Sequence, residues 1–362
     1  MKSSPRLLLA VSGHGYGHLA QCTPVINALW EAIPELHLTV CGALSRRVVA
    51  ERLDRGFTFL PVELDPVLCM LDACAIDVPA SRNVYREFHR NRQVGLQHDR
   101  DLLATLAPDL VLADIPWRIL HAARERDTPA VALCSLNWAA IYAACCEADA
   151  ADAAMLDDML DGYRAACVFL APEPALPMPE LDSYRAIGPI ARHGVQRRNE
   201  LLARCKLPED VRLVLVALGG IPTGLPLACW PRREDVVWLN AGAVGAARED
   251  LIDIAATGME FIDVLASCDA VLTKPGYGTY AEAVCNGIPI LTLARPDWPE
   301  TTHLNGWARR HGRLEEISVT QFESGCFMEA LERLWMHPAK PPVEAAGIAE
   351  AVAVIASYLA QA

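Results

Sequence analysis

Short apolar runs alternate with longer segments of helical periodicity along the chain, and this alternation constrains the fold more than any other feature. The runs cover residues 6–12, 36–41, 109–113, 130–134 and 166–170 in the first half, and 211–217, 236–239, 270–273 and 288–291 in the second. Strands that alternate with helices build βαβ units and a parallel sheet. The sequence therefore predicts an α/β protein.

Two domains are expected, because 362 residues exceed what a single hydrophobic core usually holds. Four prolines within residues 172–179 exclude a helix or a central strand there, and we expect the change of domain near Gly188 and Pro189. The predicted units are a Rossmann-like domain over residues 1–190, a second one over residues 191–342, and a closing helix over residues 343–362 that packs on the first domain.

Charge and cysteine content narrow the partners and the compartment. The chain has 45 Asp and Glu against 32 Lys and Arg, a formal net charge of −13, so we expect no nucleic-acid partner, which would require a basic face. The 13 cysteines include no C-x-x-C pair, which indicates buried thiols in a reducing compartment. The first apolar run is too short for a signal peptide, and no run spans a membrane. These features predict a cytoplasmic protein that binds small molecules.

The turn after the first strand, residues 12–18, reads S-G-H-G-Y-G-H. Glycines there let a ligand approach the backbone, and the helix that follows favours an anion at its N-terminus. The turn is not the dinucleotide fingerprint, because His18 occupies the third glycine position and no acid follows the second strand. His14 and His18 are candidate general bases, and Tyr16 is a candidate acceptor contact. The alternative is a tight turn with capping polar residues.

His18 is the preferred base, because it opens the first helix and can point into the cleft between the domains. We expect the positive end of that helix to lower the pKa of His18 and keep the ring neutral near pH 7. His14 lies closer to the strand end, where a structural hydrogen bond is the stronger expectation.

A second glycine turn begins at Gly219 and Gly220, directly after a strand. It has the outer spacing of a P-loop, but Leu225 and Pro226 stand where Lys and Ser or Thr must be. A phosphoryl-transfer kinase is therefore not expected. A backbone cradle for a diphosphate and a plain turn both stay open.

The third motif, over residues 269–289, is the most informative. A strand ends just before Lys274, a turn follows with Gly276 and Gly278, and a helix begins near Thr279. Backbone N–H groups, a hydroxyl and a cation then converge on one anion-sized spot. Glu282 lies one turn into the helix, where it can accept from a ribose diol. The alternative is a capped helix with Glu282 as a solvated acid.

The pattern over residues 261–305, together with the histidine-rich first turn, resembles the GT-B superfamily of nucleotide-sugar glycosyltransferases. Residues 282–289 match the E-A-x-x-x-G-x-P donor signature. Within the superfamily the chain resembles a branch with a G-H-G-x-G-H turn, similar to the amino-terminal domain of plant arabinose kinases. The resemblance implies two doubly wound Rossmann-like domains facing each other across a cleft, with the C-terminal helix crossing back.

The resemblance also implies roles for residues of the donor site. Glu282 stands where plant members hold the ribose, Lys274 where they have a phosphate-contacting His, and Thr279 where they have a Ser. Glu300 matches an acid that binds sugar hydroxyls, but Thr301 replaces the glutamine that follows it in the family, so the donor sugar stays open.

Two further assignments come from the same resemblance. His18 matches the histidine proposed as base in the lipid-linked N-acetylglucosaminyltransferase of peptidoglycan synthesis. Phe261, at the start of the resembling segment, is counted with the donor-binding residues, as are Gly219, Gly220, Gly276 and Gly278.

Strand ends elsewhere supply three more candidates. Asp114 follows the apolar run over residues 109–113 and is a further candidate catalytic group, and Asn137 and Trp138 follow the run over residues 130–134 as candidate acceptor contacts. A structural role in the loop is the alternative for all three.

Two charged stretches are interpreted as solvated helix faces. Asp99 and Asp101 form a D-x-D pattern in a helical stretch over residues 81–106 rather than after a strand, so a metal role is not expected. Arg82, Arg86 and Arg90 repeat every four residues; binding of an anionic acceptor or a lipid headgroup, and with it a peripheral membrane contact, is the alternative.

The sequence thus predicts a glycosyltransferase that moves a sugar from a nucleoside-diphosphate sugar, UDP-linked by expectation, to a small-molecule acceptor. Inversion, no metal and no cofactor are expected. A nucleotide-sugar hydrolase or epimerase is the first alternative, because the first turn is also similar to that of such hydrolases. A non-catalytic nucleotide-sugar-binding module is the second.

Overall fold

Two parallel β-sheets form the framework of the protein. The computed structural model describes residues 4–14, 17–72, 74–219, 225–241 and 248–361. The first sheet has the order β3-β2-β1-β4-β5-β6-β7 and is built from β1 (Arg6–Val11), β2 (His37–Cys41), β3 (Thr58–Leu60), β4 (Leu110–Asp114), β5 (Ala130–Leu133), β6 (Val168–Pro172) and β7 (Tyr184–Ile187). The second has the order β10-β9-β8-β11-β12-β13 and is built from β8 (Arg212–Ala217), β9 (Val236–Asn240), β10 (Leu251–Asp253), β11 (Ala270–Thr273), β12 (Ile290–Leu293) and β13 (Leu314–Ile317).

Helices cover both faces of each sheet. In the first half of the chain they are α1 (Gly17–Ala32), α2 (Arg46–Ala50), α3 (Val78–Arg90), α4 (Arg92–Leu106), α5 (Trp117–Glu125), α6 (Trp138–Cys145) and α7 (Ala153–Arg164). In the second half they are α8 (Arg198–Cys205), α9 (Phe261–Ala266), α10 (Tyr277–Cys285), α11 (Thr301–His311), α12 (Val319–Ser324), α13 (Met328–Met336) and α14 (Gly347–Gln361). Among the described residues, no helix combines the length and the apolar character needed to cross a bilayer.

Every interior strand corresponds to a predicted apolar run, and the four strands that the sequence did not predict are the edges of the two sheets. Interior strands are buried on both faces, so they appear in the sequence as continuous apolar runs. In β1, for example, Leu7 and Leu9 pack on the side of α1, whereas Leu8 and Ala10 pack on the opposite side. The edge strands β3, β7, β10 and β13 have three or four residues each and are partly exposed.

The stretch over residues 81–106 is two helices rather than one, since α3 ends at Arg90, α4 begins at Arg92 and Asn91 lies between them. The prediction of a solvated face is wrong for Asp99, which is buried and accepts from Arg118 Nε at 2.7 Å. Local periodicity could not show this pairing, because Arg118 lies on α5. Asp101 is exposed.

The arginines of α3 are also paired within the molecule. Arg86 Nε donates to Asp152 Oδ1 at 2.7 Å, and Arg82 forms an ion pair with Asp149. Asp149 precedes the short helical segment before α7, and Asp152 is the last residue of that segment. These two guanidinium groups therefore already bind carboxylates of the protein.

The C-terminal helix α14 returns to the first sheet. Ala351, Ile355 and Leu359 are buried in the same apolar cluster as α1. The helix begins where two glycines meet, because a Cβ at Gly347 would lie 2.0 Å from the carbonyl oxygen of Gly188. The chain thus crosses back from the second sheet to close on the first.

All 13 cysteines are free thiols, and seven of them are buried. Burial raises the pKa of several, among them Cys41 and Cys146, each to about 12. Most of the thiols therefore behave as small apolar side chains.

Both sheets reverse their strand order at an equivalent place, between β1 and β4 in the first and between β8 and β11 in the second. Open α/β sheets bind ligands beyond the carboxyl ends of the strands at such a reversal. Backbone and side-chain hydrogen bonds tie these ends together: Ser12 N donates to the Asp114 carbonyl, and Thr273 Oγ1 donates to the Ala217 carbonyl, both at 2.7 Å. The two reversal points delimit the place where a site is expected.

Candidate active site

A cavity of about 730 Å³ lies between the two sheets and opens on both reversal points. It brings together most of the residues that the sequence singled out: His14, His18, Trp138, Gly219, Phe261, Lys274, Gly276, Gly278, Thr279, Glu282 and Glu300. Asp114 lies behind His18, as described below. Tyr16 and Gly220 lie outside the described residues.

His18 and Asp114 form a buried pair on the first-domain wall. His18 Nδ1 donates to Asp114 Oδ1 at 2.7 Å. Asp114 is 0% exposed and His18 is 5% exposed. Since the carboxylate binds Nδ1–H, the imidazole keeps Nε2 free of a proton in its neutral form. The pair has the arrangement of a general base with its orienting carboxylate.

The second oxygen of Asp114 is satisfied by a thiol, because Cys22 Sγ donates to Asp114 Oδ2 at 3.1 Å. Cys22 lies one turn after His18 on α1, so one helix presents both donors to the carboxylate. A buried carboxylate with both oxygens bound has a fixed orientation, and it fixes the ring of His18 in turn.

The pKa of His18 is raised, and the expectation that the helix N-terminus lowers it is wrong. Burial disfavours the charged ring, but the charge and the hydrogen bond of Asp114 outweigh burial. The helix end acts through partial charges, whereas Asp114 is a full charge in direct contact. His18 is therefore a stronger base than an isolated histidine.

His14 has the opposite electrostatic environment. Burial and the nearby positive charges of His18 and Lys274 lower the pKa of His14 to about 3. Its ring lies edge-on to Trp138 at 5.2 Å and parallel to Trp298 at 6.5 Å between centroids. His14 thus stays neutral at physiological pH and packs between two indoles.

One group among the described residues has the side chains of a metal site. Ligand atoms of His18, Asp114 and Cys134 lie within 4.8 Å of one another, and all three residues are buried. Histidine, carboxylate and thiolate are zinc ligands. The hydrogen bond between His18 and Asp114 accounts for the closeness of two of them without an ion.

Asn137 and Trp138 begin α6, and their side chains serve different purposes. The Asn137 side chain accepts from Ala140 N at 2.8 Å and caps the helix, and Asn137 is not among the residues that line the cavity. Trp138 does line it, and its Nε1 donates to Asp65 Oδ2 at 3.0 Å. Burial raises the pKa of Asp65 to about 6.

On the second-domain wall, Lys274 follows β11 and faces the turn after β8. Burial, aided by the charge of Arg295, lowers the pKa of Lys274 to about 8. Gly219 has φ +88°, a conformation that favours glycine, and a Cβ there would lie 3.7 Å from Lys274 Cε. The helix α10 begins three residues after Lys274, and both Lys274 and the first turn of α10, with its free N–H groups, line the cavity.

Gly278 has a packing reason besides its place on the cavity wall. A Cβ at this position would lie 3.0 Å from Ala20 Cβ on α1. The N-terminal turns of α1 and α10 therefore approach each other closely across the cleft. The two helices that begin at the reversal points are in direct contact.

Glu282 is buried and pairs with Arg192, whose Nε donates to Glu282 Oε1 at 2.9 Å. Burial raises the pKa of Glu282, and Arg192 partly offsets that effect. Phe261 and Met259 line the same cavity. A carboxylate with one engaged oxygen, in a cavity that also has apolar lining, suits a ribose diol and a nucleobase.

Glu300 lies in the loop after β12 and joins the two domains. Its Oε1 accepts from Ser135 Oγ at 3.1 Å, and its Oε2 accepts from Trp298 Nε1 at 3.0 Å. Burial raises the pKa of Glu300. Trp298 packs into the apolar cluster of the first domain, so this loop holds the two walls of the cavity together.

Sequence reasoning missed Arg295, which is 6% exposed and lines the same cavity. Its guanidinium carbon lies 4.2 Å above the Trp298 ring, and its Nε donates to the Cys74 carbonyl at 3.0 Å. A basic residue directly after an interior strand was the available signal, because that position faces the ligand edge of a parallel sheet.

Two doubly wound domains that face each other across a cleft, with a closing helix, define the GT-B fold. No protein-family profile matches the chain. The calicheamicin glycosyltransferase CalG4 has a similar structure, with a TM-score of 0.65 over 99% of both chains and 18% identity. A Listeria monocytogenes protein described as a UDP-N-acetylglucosamine 2-epimerase has a TM-score of 0.58 over 100% of this chain and 98% of that one, at 12% identity. The predicted fold class is confirmed.

One curated relative is similar in sequence. The L-arabinokinase of Arabidopsis thaliana is 25% identical over 312 residues, which are 83% of this chain and 30% of that protein. The chain thus spans about 30% of the length of this relative. The match agrees with the resemblance to plant arabinose kinases that the first glycine turn suggested.

Proposed function

We propose that this chain is a glycosyltransferase that moves a sugar from a nucleoside-diphosphate sugar to an acceptor, with inversion and without a metal ion. The observation that carries the proposal is the His18–Asp114 pair, because His18 lines the same cavity as Lys274 and the N-terminus of α10. Transfer of a sugar from a nucleoside diphosphate requires a base for the acceptor and, opposite it, groups that bind the departing diphosphate.

The donor occupies the second-domain side in this proposal. Glu282 accepts from the ribose hydroxyls, and Phe261 lies at the nucleobase end. Lys274, the N–H groups at the start of α10 and the Thr279 hydroxyl bind the diphosphate. A UDP-linked donor is the first choice, since the name of the Listeria relative contains a UDP-sugar.

The chemical step is a single displacement. The acceptor hydroxyl gives its proton to His18 Nε2 while its oxygen forms a bond to the anomeric carbon, and the bond from that carbon to the diphosphate oxygen breaks. Asp114 stabilises the imidazolium that forms, and Lys274 meets the charge that grows on the diphosphate. Attack from the first domain, opposite a leaving group held by the second, inverts the anomeric carbon.

A nucleotide-sugar hydrolase or epimerase is the second candidate, because the same base can act on water or on the sugar itself. The fold similarity to a protein described as an epimerase favours this candidate. A binding module without turnover is the third, and the buried catalytic-type pair argues against it.

The test begins with a thermal-shift screen of nucleoside diphosphates and their sugars, since a ligand that binds the folded state raises its melting temperature. Free diphosphate is then measured with and without a panel of acceptors, for the wild type and for His18→Ala. Release that depends on an acceptor and is lost in His18→Ala supports the transferase. Release without any acceptor favours the hydrolase, and binding without release favours the module.

A further inference from the structure

His14 is a polar side chain on the cavity wall that the protein leaves unpartnered. It is half-buried, and neither ring nitrogen has a hydrogen-bond partner in the parts of the chain that the structure describes. Neither nitrogen is among the unpartnered polar atoms that are shut off from solvent. Both nitrogens are therefore open to a ligand. His18 differs in this respect, because its Nδ1 is taken by Asp114.

His14 lies close to both groups that the proposed mechanism uses. Its ring and the ring of His18 pack on the same indole, that of Trp138, at 5.2 and 5.4 Å between centroids. Its ring is also parallel to that of Trp298, in the loop after β12, at 6.5 Å. The charge of Lys274 acts on His14 as well. In the proposed mechanism the anomeric carbon lies between His18 and the diphosphate at Lys274, so the transferred sugar is within reach of His14.

The surroundings of His14 keep its ring uncharged. Burial and the positive charges of His18, Lys274 and Arg295 lower the pKa of His14 to about 3. A neutral imidazole has one N–H donor and one nitrogen acceptor. A hydroxyl also donates and accepts, so it can pair with either nitrogen, whereas the oxygens of an ionised phosphate can only accept. The ring is therefore better suited to a sugar hydroxyl than to the diphosphate.

We propose that His14 is a specificity-determining residue that binds a hydroxyl of the transferred sugar through its neutral imidazole. The inference rests on the proposed function and extends it to recognition of the sugar. The donor is then held from both domains. Glu282 and Lys274 bind the nucleoside diphosphate from the second domain, and His14 binds the sugar from the first.

The experiment measures by calorimetric titration how much affinity the sugar contributes. The ligands are UDP and UDP-glucose, or the nucleoside diphosphate and its sugar that bind best in the thermal-shift screen. His14→Phe keeps an aromatic ring between the two indoles but has no nitrogen. It is expected to bind UDP as the wild type does and UDP-glucose roughly 2- to 12-fold more weakly, the effect of one neutral hydrogen bond. Equal weakening of both ligands, or no weakening of either, overturns the proposal.

Two further variants complete the test. His14→Ala removes the ring without requiring room for a new one, so it keeps the proposal testable if His14→Phe does not fold, and the same selective loss is expected. His18→Ala is the matched control, because it removes the other histidine on Trp138, and it is expected to leave both affinities unchanged. An equal loss of UDP-glucose affinity in His18→Ala would contradict the assignment to His14.

The pH dependence of kcat/KM separates a sugar contact from a base. His14→Phe is expected to keep the rise with pH that the wild type shows as His18 loses its proton. Loss of that rise would make His14 the base and overturn the proposal.

The two proposals fail in different ways. A wild type that binds no nucleoside diphosphate refutes the proposed function itself. A wild type that binds UDP and UDP-glucose, with variants at His14 that bind both equally well, refutes only the sugar contact.

Discussion

Asp114→Asn isolates the contribution of the charged pair to catalysis, because the two side chains have the same shape. The asparagine oxygen can still accept from His18 Nδ1, and the amide can lie against Cys22. What disappears is the negative charge 2.7 Å from the imidazole. The fold is expected to persist, and the stabilisation of the imidazolium to be lost.

A hydrogen bond to a charged partner contributes about 1.5–3 kcal/mol, which corresponds to a drop in kcat of roughly 10- to 150-fold. KM should change little, since the imidazolium forms only in the transition state. The pH dependence shifts as well. Asp114 raises the pKa of His18, and the base must be neutral to act. In wild type kcat/KM therefore rises with pH as His18 loses its proton, and in the variant this rise moves to lower pH.

The assay is the initial rate of diphosphate release with acceptor, from about pH 5 to 10, for wild type, Asp114→Asn and Asp65→Asn. Asp65 is the matched control, because it is another buried carboxylate whose hydrogen bond goes to Trp138 Nε1, so that its charge acts on His18 only through space. A small effect of Asp65→Asn is expected. Equal rates and equal pH profiles for Asp114→Asn and wild type would refute the assignment of the base.

Three further variants test the remaining roles. His18→Ala should lower kcat by about 10²–10⁴ with donor binding retained, whereas His14→Ala, whose ring is neutral because its pKa is about 3, should have a smaller effect; comparable losses would place the base elsewhere. Lys274→Ala should lower kcat more than it raises KM, and an unchanged kcat would mean that backbone amides alone stabilise the leaving diphosphate. Because burial lowers the pKa of Lys274 to about 8, wild-type kcat/KM should fall above that pH as the ammonium loses its proton. Glu282→Ala should weaken donor binding by about 1.5–3 kcal/mol with little change in kcat, as measured by titration, and an unchanged affinity would remove Glu282 from the donor site.

The sequence was informative where structure follows from local pattern. Interior strands are buried on both faces and therefore appear as apolar runs, which is why the α/β fold and the turns after β1, β8 and β11 could be predicted. Edge strands such as β3 and β10 carry no such pattern, so they could not.

The pairings within the site were less accessible to prediction. His18 and Asp114 are 96 residues apart, and their contact depends on β1 and β4 being neighbours in the sheet. The buried ion pair of Asp99 with Arg118 and the unbound edge of Arg295 likewise depend on which elements pack together. Charge, in both cases, was visible in the sequence, but burial was not.

A crystal structure with a bound nucleoside diphosphate tests the central claim most directly. The account predicts that the diphosphate lies within hydrogen-bond distance of Lys274 Nζ and the N–H groups that begin α10, with the ribose at Glu282 and the open side of the cleft leading to His18. A nucleotide bound elsewhere on the protein, or one in the cavity with its diphosphate away from Lys274 and its ribose away from Glu282, would contradict it.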